Sequence, residues 1–333
     1  MINNVMEKKE PLVTIVSGYF NRENQVTHSL LSLVNQSYSN LEILIFDDCS
    51  TDGTLDKLNL IAAKDNRMKI IKHSYNKGFV QGVIDAIKIS TGEFIAIHGS
   101  GDISLKDRIF KQVNYLYKNS SISIVGCHYH NIRNGKIIET IRESNNGVFK
   151  ERIRKKNIFS HGEVIFRKST YDKVGGYRTF FQYSQDYDLW CRMSLISEYY
   201  VIQEILYERN NDSKNAVSNS ALKLVRQAIL EDFINQSFKL RQKYGYDYID
   251  FLGNQALAFR KRSLKLSLKI VYKYLLGDNV LGSNEDLNKV WAIVKSDKFS
   301  IAKVLLYLIR LKIVSSKKTF QLIRLLIKII GHK

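Results

Sequence analysis

LEILIFDDCSTDGT, residues 41–54, runs from an unbroken apolar stretch into two adjacent carboxylates and then a turn. Leu41, Ile43, Leu44, Ile45 and Phe46 have the content of a strand buried on both faces. Ser50, Asp52 and Gly53 carry turn and helix-capping chemistry. Asp47 and Asp48 at the end of such a strand are costly unless hydrogen-bond donors or a cation meet them. A ribose, a base N–H or a metal would do so; a capping turn with one solvated acid is the plainer alternative.

Outward from this stretch, residues 12–17 (LVTIVS), 68–73 (MKIIKH) and 93–98 (EFIAIH) are further β-prone runs. Helical spacing lies between them. Val26, Leu30, Leu31 and Val34 form one stripe within 24–36, and Val80, Val83, Ile84 and Ile87 another within 79–90. Strands alternating with helices predict an α/β domain with a Rossmann-like, mostly parallel sheet flanked by helices. Ligands of such sheets bind beyond the carboxyl ends of the strands. Residues 122–127 and 163–167 read as two more strands, with polar stretches (NIRNGK, ESNNG) between them. The turn-rich segment 210–220 (NNDSKNAVSNS) is the expected boundary between a nucleotide-binding domain, 1–215, and a helical, basic region, 216–333.

Apolar residues make up 44 % of the 333, which excludes a disordered chain. Three scattered cysteines without a CxxC pair indicate neither zinc nor a disulfide framework. The polar start MINNVMEKKE, with no uncharged apolar run of spanning length anywhere, predicts a cytoplasmic protein. The formal charge is +19, concentrated late: residues 241–333 hold 19 Lys+Arg against 6 Asp+Glu, and 301–333 hold eight basic residues and no acidic one. There IAKVLLYLIRLKIV and TFQLIRLLIKII flank SSKK, and Lys303, Arg310, Lys317 and Arg324 recur every seven residues. This pattern predicts a peripheral contact of 301–333 with the anionic inner face of the cell membrane. A hairpin packed on the catalytic domain is the alternative. No nucleic-acid-binding motif accompanies the charge, so no nucleic acid partner is expected.

Two more segments carry chemistry. In IHGSGDISLKDR, 97–108, glycines flank a small residue just after a strand and leave Asp102 as a hard oxygen ligand for Mg²⁺ or Mn²⁺. A tight turn explains the segment equally well. In GGYRTFFQYSQDYDLWCR, 175–192, a Gly175-Gly176 turn precedes Asp186 and Asp188 in the first turn of a helix. Helix capping accounts for one acid. Two, beside Tyr183, Tyr187 and Trp190, suggest a sugar cleft with a positioned base.

Taken together and in order, the blocks VTIVSGYFNRE (13–23), SLVNQSYSNLEILIFDDCSTDGT (32–54), NKG (76–78), GEFIAIHGSGDISLKDR (92–108) and VGGYR…QDYDLW (174–190) resemble the family 2 glycosyltransferases, whose fold is called GT-A. The resemblance covers roughly residues 11–210. It implies that Ser17, Tyr19, Asn21 and Asp48 hold the nucleoside, with Asp47 supporting and Asn76 in the adjoining block. It implies a metal on Asp102, the last position of the family's DxDD, and a catalytic base on Asp186. Gly175, Gly176 and Gln185 then border the sugar or acceptor. His161, in HGEVIFRK, falls where the family often has an acceptor-side His, and Arg209 where it has an Arg near the pyrophosphate. A structural hydrogen bond and a surface ion pair are the alternatives for these two. The default donor is a UDP-sugar, and the acceptor a lipid-linked or surface-polysaccharide glycan.

The chain also departs from the family. Gly99-Ser100-Gly101-Asp102 keeps one acid of DxDD, Gln185 replaces the first acid before Asp186, and Gly82-Val83-Ile84 replaces Ala-Arg-Asn. If the resemblance holds, the mechanism is a single displacement with inversion: Asp186 takes the acceptor proton, and a divalent ion neutralises the leaving diphosphate. The missing acids motivate one rival, a non-catalytic GT-A-like partner of another transferase. A glycoside hydrolase does not need the strand-end turn at 47–54. A nucleotidyltransferase would need a basic glycine-rich loop that 17–24 (SGYFNREN) lacks.

Overall fold

A computed structural model describes residues 10–212 and 221–261, with Leu266 and Ile270. The proposed membrane segment 301–333 and most of the expected boundary at 210–220 lie outside the described residues. By contacts the chain divides into two units, Met1–Thr179 with Gln185–Asp212, and Phe180–Ser184 with Ser213–Lys333.

In the first unit, β1 (Val13–Tyr19), β2 (Leu41–Asp47), β3 (Met68–Lys72) and β4 (Phe94–His98) alternate with α1 (Val26–Val34), α2 (Thr54–Ala62) and α3 (Phe79–Ile89). They pair in parallel in the spatial order β3-β2-β1-β4. Every residue of β1, β2 and β4 is buried, which is why their sequences read as continuous apolar runs. Val26, Leu30 and Leu33 of α1 join Ile15, Ile43, Ile45, Leu58 and Phe94 in the main core. Leu31, expected on that stripe, is instead exposed.

The rest of the sheet is mixed. β5 (Ile103–Ser104), α4 (Arg108–Lys118), β6 (Ile122–Arg133), β7 (Lys136–Ile141), α5 (Phe149–Lys155), β8 (Ile165–Arg167), α6 (Lys168–Lys173), α7 (Gln185–Met193) and β9 (Glu198–Asn210) follow in order. β8 lies antiparallel between β4 and β6, β9 runs parallel to β6, and β5 closes the nine-stranded sheet. The polar stretch NIRNGK is the end of one strand, a turn and the start of the next. Asn134 and Gly135, at φ 49° and 69°, make the β6–β7 hairpin.

In the second unit, α8 (Ala221–Tyr244) and α9 (Tyr248–Leu252) are the α-helices among the described residues. Asp247 caps α9 and pairs with Arg241 at 2.7 Å. A cavity of about 450 Å³ is lined by Phe180, Tyr183, Arg226, Ile229, Leu230 and Leu257. No helix among the described residues is long and apolar enough to cross a membrane.

Candidate active site

The residues expected to hold the nucleoside lie at and just beyond the carboxyl ends of β1 and β2. Asp48 is buried and its carboxylate is committed to its own chain. It accepts the Lys77 N–H at 2.8 Å, the Gly78 N–H at 2.9 Å and a bond with His73 Nδ1 at 2.9 Å. His73 in turn stacks on Phe46, centroids 5.6 Å apart. The Phe46 ring fills the space that a Cβ at Gly18 or Gly82 would need, so Gly82 is required for packing where the family carries Ala. Asn76 accepts the Gly78 N–H at 3.2 Å. Asn21, at φ 51°, ties the two strand-end loops: its Oδ1 accepts the Thr51 N–H at 2.8 Å and its own N–H donates to Ser50 Oγ at 3.0 Å. Asp47 accepts the Ser50 N–H through Oδ2 at 3.1 Å, while its buried Oδ1 has no partner. Such a buried acceptor at a strand end can take a further hydrogen-bond donor. Ser17 and Tyr19 depart from expectation. Both side chains are buried, and Tyr19 donates to Ser29 Oγ at 2.9 Å. Tyr19 ties the end of β1 to α1 from within, whereas the buried Ser17 Oγ has no partner.

Beneath the Gly99–Asp102 loop runs a buried polar chain. Ser29 Oγ meets His98 Nε2 at 2.9 Å, His98 Nδ1 meets Ser104 Oγ at 3.1 Å, and Ser104 accepts from Arg108 at 2.7 Å. Burial, with Arg108 adding, pushes the His98 imidazole down to about 3, so it bridges these hydroxyls as a neutral ring. Arg108 is fully buried. It also donates to the Ile97 carbonyl at 2.8 Å and lies 4.8 Å from the centroid of the Tyr207 ring. Asp102 accepts the Tyr207 hydroxyl at 2.6 Å through Oδ2 and the Asn210 N–H at 2.8 Å through Oδ1. Burial raises its carboxyl above the usual range.

Mg²⁺ or Mn²⁺ takes hard oxygen ligands, with substrate phosphates completing the shell. Asp102 offers one carboxylate with both oxygens engaged. A Cβ at Gly99 would overlap Asp102 Oδ2, and one at Gly101, φ 93°, would crowd Gln25 at 3.1 Å, so neither position admits a second acid on this backbone. Among the described residues no group of three His, Cys, Asp or Glu could hold a metal. Arg108 and Arg209 both bear on the charge of Asp102. This donor set is a poor fit for a divalent cation held by the protein; as placed here, Asp102 anchors its loop to Tyr207 and Asn210.

The first turn of α7 carries the other acids, with opposite fates. Asp188 is buried between two arginines: it pairs with Arg192 at 2.7 Å and with Arg178, whose Nε lies at 3.0 Å. Burial pushes its carboxyl up, but Arg192 and Arg178 outweigh this and hold it below the usual range. Asp186 is half-buried and accepts one bond, from the Asn157 amide at 2.9 Å. Gln185 beside it is half-buried too. His161 opens a 3-10 turn, His161–Glu163, bonds Tyr177 Oη through Nε2 at 2.6 Å and meets Phe79 edge-on at 5.5 Å. Burial lowers the His161 pKa, and the nearby Asp186 charge opposes that shift. Gly175 and Gly176, at φ 80° and 64°, close α6 through N–H bonds to Asp172 and Tyr171. Arg209 lies 5.5 Å over the Tyr129 ring, and its buried Nε has no partner.

Tyr207, Asn157, Arg178 and His73 were not singled out from the sequence. An i,i+4 acid–base pair, Asp188–Arg192, was the one signal that could have marked the clamp.

The family model of glycosyl transferase family 2 matches residues 14–185. The putative glycosyltransferase EpsE of Bacillus subtilis (strain 168) is 31 % identical over 229 residues, covering 66 % of this chain and 80 % of that protein. The Escherichia coli UDP-Glc:alpha-D-GlcNAc-diphosphoundecaprenol beta-1,3-glucosyltransferase WfgD is 32 % identical over 127 residues, covering 38 % of this chain and 49 % of WfgD. Among solved structures, the mannosyltransferase PcManGT from Pyrobaculum calidifontis, in complex with GDP-Man and Mn²⁺, is similar at a TM-score of 0.57 and 14 % identity, over 97 % of this chain and 86 % of its own. That likeness is one of fold. With more than half of its length matched by the family model and most of EpsE covered, the chain belongs to glycosyl transferase family 2 and has the GT-A fold.

Proposed function

We propose that this glycosyltransferase moves a sugar, with inversion, from a UDP-sugar to a hydroxyl of a lipid-linked or surface-polysaccharide acceptor. The observation that carries the reading is the contrast on α7. Asp188 is locked by two arginines, whereas Asp186 is half-exposed with a single amide donor. A carboxylate held in place by Asn157 and open on its other side can accept the proton of an attacking hydroxyl. The anomeric centre gains positive character as the leaving group departs, and a carboxylate near it stabilises that charge. His161 and Tyr177 sit close enough to Asp186 to feel its charge. With Gln185, Gly175 and Gly176 they border the acceptor side in this reading. Asn21, Asp47, Asp48 and Asn76 frame the nucleoside, with the orphan Oδ1 of Asp47 available to a base or ribose donor. The divalent-cation expectation is carried no further, since the residues around Asp102 do not fit it.

The UDP preference rests on family habit and on the name of WfgD, which also supports the lipid-linked acceptor. Residues 1–215 form the catalytic domain in this proposal, and the basic segment 301–333 holds the enzyme at the inner face of the cell membrane. The test is a panel of UDP-sugars with diphospholipid-linked glycan acceptors, read by nucleotide release and by proton NMR of the product's anomeric coupling. Release that depends on acceptor, with inverted configuration, is expected. A retained configuration would remove the single displacement. Nucleotide binding without transfer to any acceptor would favour the non-catalytic partner instead.

A further inference from the structure

The loop on which the resemblance would put the metal keeps one acid, Asp102, and two arginines, Arg108 and Arg209, bear on its charge. Gly99 and Gly101 are enforced by space: a Cβ at the first would overlap Asp102, and the second combines φ 93° with a crowded Gln25. The remaining acid is drawn away from any ligand by Tyr207 and by the N–H of Asn210. Arg209 is the residue just before that N–H, so β9 delivers its guanidinium next to the same loop. The guanidinium lies over the face of Tyr129 at 5.5 Å, and its buried Nε is unmatched by any acceptor. A planar guanidinium stacked on an aromatic face keeps its N–H edge for a phosphate, which it can grip with two parallel bonds.

Arg22 lies in the loop after β1. Its backbone N–H is fixed to Thr54 Oγ1 at 2.7 Å, and its charge acts on Asp102. With Arg108 below, three guanidinium groups surround one carboxylate. That balance attracts a diphosphate and repels a divalent cation.

We propose that Arg209, assisted by Arg22, neutralises the diphosphate of the donor in place of a divalent cation, so that the enzyme binds its nucleotide and transfers sugar without Mg²⁺ or Mn²⁺. The inference rests on the reading of the site as one for a nucleoside diphosphate-sugar. The leaving diphosphate gains charge as the glycosidic bond breaks, and fixed guanidinium donors aimed at it stabilise that charge without rearrangement.

The experiment is calorimetric titration of the full chain with UDP, GDP and dTDP, once in EDTA and once with Mn²⁺. The best nucleotide is expected to bind within about twofold in the two conditions, against the order-of-magnitude change that loss of one charge-assisted bond produces. Binding that is about tenfold or more weaker in EDTA and recovers with Mn²⁺ would overturn the inference while leaving the transferase reading intact. No binding of any nucleoside diphosphate in either condition would overturn both. A second arm uses Arg209→Gln. It is expected to lose about tenfold or more in affinity for the diphosphate while binding of the bare nucleoside is unchanged, with Arg209→Lys recovering part of the loss. Equal weakening of nucleoside and nucleotide, or no weakening of either, would overturn the role of Arg209. If Arg209→Gln does not fold, Arg209→Lys and the cation titration of the unmodified chain decide the matter.

Discussion

The two ends of the site handle their acids differently. At the donor end the carboxylates are building material: Asp48 fixes His73 and the 77–78 backbone, Asp102 fixes Tyr207 and Asn210, and Asp52 accepts from Thr54. The loops are shaped by their own acids, whose oxygens are already taken by backbone and side-chain donors. At the α7 end two acids lie two residues apart, and only Asp188 is used in this way. Asp186 is left half-exposed with one donor, from Asn157. The difference teaches that acid count in a motif is a poor guide to acid availability, whereas the number of donors each oxygen already accepts is a good one.

The largest effect expected from this comparison is at Asp186. Asp186→Asn keeps the size and the Asn157 contact in reach but removes the proton acceptor. Turnover should fall by about 10²–10⁴ with nucleotide affinity and melting temperature little changed. Steady-state rates beside calorimetry would check it. Normal turnover in this variant would erase the distinction between the two ends.

Asp188→Asn should do the reverse. It leaves Arg178 and Arg192 buried without their carboxylate, and breaking such a pair costs about 3–5 kcal/mol. Denaturant unfolding should show that loss directly, and activity should decline only in proportion to the folded fraction. A stable but inactive Asp188→Asn would move the catalytic role two residues along the helix.

At the donor end the corresponding test is Gly82→Ala. Phe46 lies where the new methyl would go, against Gly18 as well, and it carries His73 on its face. Overpacking of this kind typically costs about 1–3 kcal/mol. The shift should travel through His73 to Asp48 and weaken nucleotide binding along with stability. Unchanged unfolding would mean that Phe46 is not held rigidly between the two glycines.

This contact shows what was legible beforehand. The apolar runs of β1, β2 and β4 could be read because burial on both faces leaves little choice of residue. The acids at their ends could be read because a polar residue ending such a run is conspicuous. Which donors those acids accept could not be read. Tyr207 reaches Asp102 across 105 positions of sequence, on β9, whose exposed central residues masked a strand pairing that is mostly at its two ends. The replacement of the family's Ala by Gly82 had no visible reason in the sequence, because that reason lies in Phe46, on a strand adjacent only in space. That the Tyr19 hydroxyl turns inward to Ser29 could not be read either, because strand-end hydroxyls look alike in sequence whether they point to water or to a neighbour. The β6–β7 hairpin was missed although its Asn-Gly turn was visible, since the flanking residues are polar and β7 is largely exposed.

The smallest expected effect concerns the turn that carries His161 and depends on pH. Glu163 is buried. Its Oε2 accepts the Cys127 N–H at 2.7 Å and its Oε1 the Ser160 N–H at 3.2 Å. Burial nevertheless dominates over these donors and raises the carboxyl to about 8. The unfolded chain releases this proton near 4.5, so between 4.5 and 8 the folded state binds more protons than the unfolded one. Stability from this group therefore falls as pH rises through that window and levels off above it. In Glu163→Gln the proton is gone from both states and the slope goes with it. Melting temperatures of the two proteins measured from pH 5 to 8 should converge or cross, the unmodified chain losing ground as pH rises. Parallel curves would mean that the two N–H donors keep Glu163 ionised, and the turn would then join the donor end as another place where an acid is held by its own backbone.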